Sequence, residues 1–182
     1  MKILIDINHP AHVHYFKNMI KIMTNKNYNF KIISRNKEIE HYLLTKNKID
    51  FISRGEGAKS FFSKIKYFFY AINFIIKEIK LFKPDLIISF GTPYPAIASK
   101  ICKIDHISIN DTEHAGMHHA LTDPFSKTIL TPSCYKKNIG KKQLRFDSYM
   151  ELSYLHPKYF KPDPSIYDLL GIEKKQKYMI VR

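Results

Sequence analysis

Cysteine is scarce in this sequence: Cys102 and Cys134 are the only two among 182 residues. They form no CxxC pair, which argues against a disulfide framework and a four-thiolate zinc site. A reducing, cytoplasmic setting is the expectation. A long hydrophobic run is also missing, since the longest apolar window, Tyr67 to Ile76, is interrupted by Asn73 and bounded by Lys66 and Lys77. Nothing there reads as a bilayer span or a signal segment. GxGxxG, GxxxxGK[ST] and HExxH do not occur, so a dinucleotide fingerprint, a P-loop and a zincin helix are not expected. Acidic residues are few, with 16 Asp and Glu against 30 Lys and Arg, a net charge of +14. That balance favours anionic partners such as nucleic acid, phosphorylated metabolites or acidic headgroups. No DNA- or RNA-binding motif organises the basic residues, and Lys21, Lys26, Lys46 and Lys48 read as solvated helix faces, so a specific nucleic-acid partner is not expected.

What is present is a repeated alternation of strand and helix. "KILIDI" is the β-branched-rich run of a buried parallel strand, with Asp6 near its carboxyl end. Pro10 stops that strand but suits the first turn of a helix, which residues 12–25 continue with Val13, Phe16, Ile20 and Met23 at helical spacing. Strands are expected at 28–34 and 50–53 around a helix at 37–46, and Arg54-Gly55-Glu56-Gly57 reads as a loop. A long helix follows over 59–82. Its stripe of Phe61, Ile65, Phe68, Ile72, Ile75 and Ile79 is expected to pack on the sheet, while Phe62, Tyr67, Phe69, Tyr70 and Phe74 widen the apolar face and leave some aromatics exposed. Among Lys59, Lys64, Lys66, Lys77 and Lys80, these would suit peripheral contact with an anionic membrane. "DLIISF" at 85–90 is the clearest strand, a helix follows at 95–102, and strands at 106–110, 128–131 and 144–146 complete the pattern. Such units build a Rossmann-like α/β fold: a mainly parallel sheet with helices on both faces.

Residues 1–160 read as one domain. Beyond them, residues 161–182 carry two prolines, Pro162 and Pro164, with a short helix at 165–170, and "YMIVR" reads as the first strand of a second, truncated domain.

Ligands of open α/β sheets collect beyond the carboxyl ends of the strands. Three groups of residues stand there: Asn8, His9, His12 and His14 after the first strand; Gly91 and Thr92 after "DLIISF"; and Asn110, Asp111, Glu113 and His114 after "HISI". An imidazole and a carboxylate in one crevice can share acid and base roles. His9 lies nearest the strand end and is the first choice, with Glu113 its carboxylate counterpart. Each has a plainer reading: His9 and Thr92 as helix caps, Cys134 as packing. Free N–H groups beside Thr92 would suit an anion. His12 and His14 project from different sides of the helix, so one of them is expected at the surface. His114 and His118 have the spacing of two metal ligands, but no third ligand is fixed, and no metal is expected.

The stretches "IDINHPAHVHYFKN", "RGEGAKS", "PDLIISFGTPYPA", "NDTEHA" and "TPSCYKKNIGKKQLRFDSYMELSYLHPKYFKPDP" together resemble the family catalogued as domain of unknown function 354. That family is similar to GT-B glycosyltransferases and UDP-N-acetylglucosamine 2-epimerases, which set two Rossmann-like domains across a cleft, and its members are about double this length. The resemblance implies that this chain is the amino-terminal, acceptor-side half, with a nucleotide-sugar donor held by the other domain and no cofactor of its own. It places a base toward an acceptor hydroxyl on His9, His12 or His14, and an active-site glutamate at Glu113. Asn8-His9-Pro10-Ala11 stands where the peptidoglycan N-acetylglucosaminyltransferase has a glycine-rich turn, a departure from that enzyme's lipid acceptor site. The expectation is an inverting glycosyltransferase of surface polysaccharide or glycoconjugate synthesis, acting on a sugar or glycolipid acceptor. Its rivals are an epimerase and a non-catalytic basic module binding nucleic acid or membrane.

Overall fold

The computed structural model describes residues 1–182 except 38, 59, 115, 174, 175, 180 and 182. Seven strands form one open, all-parallel sheet in the order β3-β2-β1-β4-β5-β6-β7. The elements are β1 (Lys2–Ile7), α1 (Pro10–Thr24), β2 (Asn29–Ser34), α2 (Glu40–Lys46), β3 (Phe51–Ser53), α3 (Phe61–Phe82), β4 (Leu86–Phe90) and α4 (Pro93–Cys102). They are followed by β5 (Asp105–Ile109), α5 (Gly116–Thr122), a 3₁₀ turn (Asp123–Phe125), β6 (Thr128–Pro132), β7 (Gln143–Phe146), α6 (Leu152–Leu155) and α7 (Ile166–Leu170). The chain builds outward from β1 through β2 to β3, then α3 carries it back to β4 on the other side of β1. The order therefore reverses between β1 and β4.

The period of two along β1 divides the core. Ile3, Ile5 and Ile7 face α1 and α2 with Val13, Phe16, Ile20, Leu43 and Leu44. Leu4 faces α3 and α4 with Ile72, Ile75, Ile79, Ile87 and Ala98. α3 starts where Ser60 Oγ accepts the Ser63 N–H and stops where Lys83, in the left-handed region at φ 51°, precedes Pro84.

The sheet contact of α3 begins later than its periodicity predicts. Phe61 is 72% exposed, Phe62 77% and Ile65 44%, whereas Ile72, Ile75 and Ile79 are buried. A 22-residue helix overshoots a five-residue strand such as β4, so its first turns project past the carboxyl rim of the sheet. Lys59, expected as its first residue, lies outside the described residues.

The expected strand at "YMIVR" falls partly on residues 180 and 182, also outside the described residues; Tyr178, Met179 and Val181 belong to no strand. Among the described residues no helix is long and apolar enough to cross a membrane.

Candidate functional site

β1 and β4 end side by side at the reversal of strand order, and the loops beyond them are tied together there. Asn8 Nδ2 donates to Asp6 Oδ2 and to Thr92 Oγ1, each at 2.7 Å. Thr92 stands at the N-cap position of α4, but its side chain makes no cap; the hydroxyl donates to Phe90 O and accepts from Asn8. The start of α4 is also poor in donors, because Pro93 and Pro95 occupy two of its first three positions and lack N–H groups. Of the first three positions of α4, only Tyr94 therefore brings an N–H to the anion site expected beside Thr92.

Behind this junction lies a buried charge cluster. Asp6 and Arg54 are both fully buried, with Arg54 Nη2 3.4 Å from Asp6 Oδ1 and 3.5 Å from Oδ2. The Arg54 guanidinium also lies 5.1 Å from the Tyr94 ring centroid. Burial pushes the Asp6 carboxyl up, while the Arg54 charge and the Asn8 amide pull it back. Glu40 is buried beside them, accepting from Ser34 Oγ at 3.3 Å, and burial pushes its carboxyl up to about 7 against the opposing pull of Ser34, Arg35 and Arg54. A charged residue inside "ILIDI" was the signal for this cluster, since a buried carboxylate requires a partner. Its partner came from the 54–57 loop, which the residues alone marked only as a turn.

The histidines after β1 separate. His9 is exposed, and its Nδ1 accepts the Ala11 N–H at 3.2 Å, so it caps α1. His12 is buried with its ring 4.7 Å from Phe90, and its Nδ1 accepts the Asn8 N–H at 3.4 Å. Burial, with the nearby His9, pushes the His12 imidazole down to about 3. His14 is half-buried and faces Tyr154, 5.4 Å between ring centroids. Of the pair His12 and His14, one of which is expected at the surface, His14 is the more exposed but only half so, and His9 is the exposed member of the three.

The third group meets the second through Gly91. At φ +59°, a Cβ on Gly91 would lie 2.8 Å from Asn110 Oδ1, so this position requires glycine on two counts. Asn110 is buried; Asp111 Oδ1 accepts from Thr112 Oγ1 at 2.9 Å. Glu113 turns toward the segment after β6, where a side-chain oxygen accepts the Lys136 N–H, and His114 is exposed. Asn8, Thr92, Gly91 and Asn110 therefore line one junction, while His14 and Glu113 engage its flanks. Among the described residues no hydrogen bond joins His9 to Glu113.

Sequence reasoning passed over a further network. His119 Nε2 lies 2.9 Å from Thr112 O and 3.3 Å from Tyr135 Oη, and Nδ1 lies 3.4 Å from Asp123 Oδ2. It locks the loop that carries Asp111 and Glu113 onto α5. Among the described residues no three His, Cys, Asp or Glu side chains are grouped to hold a metal ion.

The family model described as "Protein of unknown function (DUF354)" matches residues 1–182. The chain belongs to that family. Among curated proteins none matches it. Solved structures share the DUF354 chain's fold. UDP-GlcNAc 2-epimerase from Methanocaldococcus jannaschii superimposes with a TM-score of 0.61 at 16% identity, over 73% of this chain and 40% of its own. MurG from Acinetobacter baumannii gives 0.62 at 16% identity, over 80% and 45%. The spinosyn forosaminyltransferase SpnP gives 0.59 at 7% identity, over 80% and 50%. The fold is thus that of one Rossmann-like domain of GT-B proteins, and the chain spans half or less of each of these three structures.

Proposed function

We propose that this DUF354 chain is the acceptor-side half of a GT-B-type sugar-nucleotide enzyme, a glycosyltransferase acting in surface polysaccharide or glycoconjugate synthesis without a resident metal. The observation that carries the reading is the Asn8–Thr92 bond across the reversal of strand order, the place where open α/β sheets receive ligands. Residues 1–160 form the acceptor domain, and the nucleotide-sugar is held by a partner domain to which residues 161–182 lead.

In this reading His9 and Glu113 are the acid–base groups, and Asn8, His12, Gly91, Thr92, Asn110, Asp111 and His114 shape the acceptor pocket, with His14 at its flank. The cap fixes what His9 can do at rest. With Nδ1 accepting from Ala11, the neutral ring carries its proton on Nε2 and offers a donor. To take a proton from an acceptor hydroxyl, His9 must release the Ala11 N–H, a change of one exposed hydrogen bond. The exposed aromatic start of α3, with Lys64 and Lys66, supports peripheral contact with anionic membrane at the cytoplasmic face, where a glycolipid acceptor would lie.

The likeness to UDP-GlcNAc 2-epimerase favours a second reading, in which acid and base act on the sugar of the nucleotide-sugar itself. Incubation of the full-length enzyme with UDP-sugars decides between them. Transfer that requires an added acceptor supports the transferase, and conversion of the UDP-sugar alone supports the epimerase.

A further inference from the structure

Apart from the Asn8–Thr92 junction, a recess of about 440 Å³ opens between the 57–58 loop, the early turns of α3 and the starts of α4 and α5. Arg35, Lys64 and His118 reach its wall beside the Tyr67 and Tyr94 rings, and among the described residues no carboxylate lines it. Phe68, Met117 and Leu121 supply an apolar side.

Among the described residues, two polar atoms of the lining are buried without hydrogen-bond partners: Arg35 Nε and Tyr67 Oη. Unpaired buried donors are rare, because each forfeits the hydrogen bond that water gave it. Arg54, stacked on Tyr94, likewise has Nε and Nη1 unpaired. Among the described residues, the nearby carboxylates do not balance these cations. Asp6 is engaged by Arg54 and Asn8, and Glu40, raised to about 7, carries less than a full charge at neutral pH.

Gly57 sets the position of Arg35. A Cβ there would lie 1.9 Å from Arg35 Nη2, so the guanidinium rests directly over the glycine. A side chain at 57 would force the guanidinium out of this position.

We infer that this recess binds a phosphate-type oxyanion carried on an organic group, with Arg35, Lys64 and Tyr67 donating to its oxygens and Phe68, Met117 and Leu121 packing the carrier. Several convergent donors suit the multiple oxygens of phosphate, and Arg35 can engage two of them at once. The assignment is independent of whether the enzyme transfers or epimerises. The anion's source is either a soluble phosphate ester or a lipid headgroup.

Calorimetric titration of the full chain tests this, with 4-nitrophenyl phosphate as soluble ester, dihexanoyl phosphatidic acid as lipid headgroup, and 4-nitrophenyl glucoside as uncharged counterpart. At least one phosphate is expected to bind and the glucoside not, the preferred phosphate identifying the source. Lys64→Gln and Gly57→Ala should each weaken binding about tenfold, the second without removing a charge, and Arg35→Gln at least as much. Lys127→Gln, at a remote exposed ion pair with Asp105, should change nothing. Lys64 is exposed, so its variant reports on binding even if Arg35→Gln fails to fold. Binding of neither phosphate at millimolar concentration, equal binding of the glucoside, or equal loss in Lys64→Gln and Lys127→Gln would overturn the assignment.

Discussion

Asn8 and Thr92, 84 positions apart in sequence, meet at 2.7 Å across the point where the strand order reverses. The Asn8 amide also holds Asp6, so one side chain couples the tip of β1, the buried charge cluster and the entry to α4. Thr92→Val keeps the shape of Thr92 and removes the acceptor. It should cost about 1–2 kcal/mol in urea unfolding, with Thr92→Ser recovering most of it. A loss below a few tenths of a kcal/mol would mean that solvent replaces the bond freely.

Arg54 has no solvent to turn to. Arg54→Met leaves the Asp6 carboxylate buried and unpaired, a loss of about 3–5 kcal/mol by comparison with other broken buried pairs. Asp6→Asn combined with Arg54→Met should recover part of that loss, because the second change removes the orphaned charge. The double-mutant cycle measures this directly, and strict additivity would contradict the pairing.

How much of this was legible in the sequence follows from which forces are local. β-branched runs and the prolines at 10, 84 and 93 mark strands and turns one element at a time, and the parallel sheet follows from their alternation. The neighbour across a helix is not local. Phe61 and Ile65 keep the period of Ile72 and Ile75, yet only the latter have sheet opposite them. Arg54 reads as a loop residue until β3 is laid on the far side of β2 from β1, which brings it to a partner 48 positions away. His119, Asp123 and Tyr135 become a network only once α5 and β6 are packed.

Glu40 makes stability depend on pH in an unusual direction. Its carboxyl is raised to about 7 in the folded protein against about 4.3 for an ordinary glutamate. Between those values the folded state binds more protons than the unfolded state, so this group's contribution is fully present at low pH and is lost as pH rises through 7. His12 and His106, pushed down to about 3 by burial, act oppositely: their contribution is present above about 6.5 and lost as pH falls toward 3. Comparing wild type with Glu40→Gln isolates the glutamate. The variant's stability relative to wild type should improve by a few kcal/mol between pH 4.5 and 8, and a pH-independent difference would remove Glu40 from the account.

The exposed start of α3 predicts a membrane preference. Phe62→Ser with Phe69→Ser should reduce cosedimentation with anionic vesicles several-fold while leaving the melting temperature nearly unchanged, since both rings are more than half exposed. Unchanged cosedimentation would show that the lysines alone, or another surface, make the contact.

His9 carries a structural role and a proposed chemical one, and two substitutions separate them. Asparagine is a good N-cap, so His9→Asn should keep α1 and the fold's stability while removing the imidazole. His9→Ala should lose about 1 kcal/mol in addition, because the Ala11 N–H goes unpaired. If the imidazole moves a proton, both variants of the full-length enzyme should lower kcat by about 10² to 10⁴, and Glu113→Gln should do the same. A role confined to the cap gives another pattern: His9→Asn as active as wild type, with any loss in His9→Ala following its stability. Wild-type turnover in both His9→Asn and Glu113→Gln would move the acid–base chemistry off these residues, leaving the Asn8–Thr92 junction to shape the pocket without acting in it.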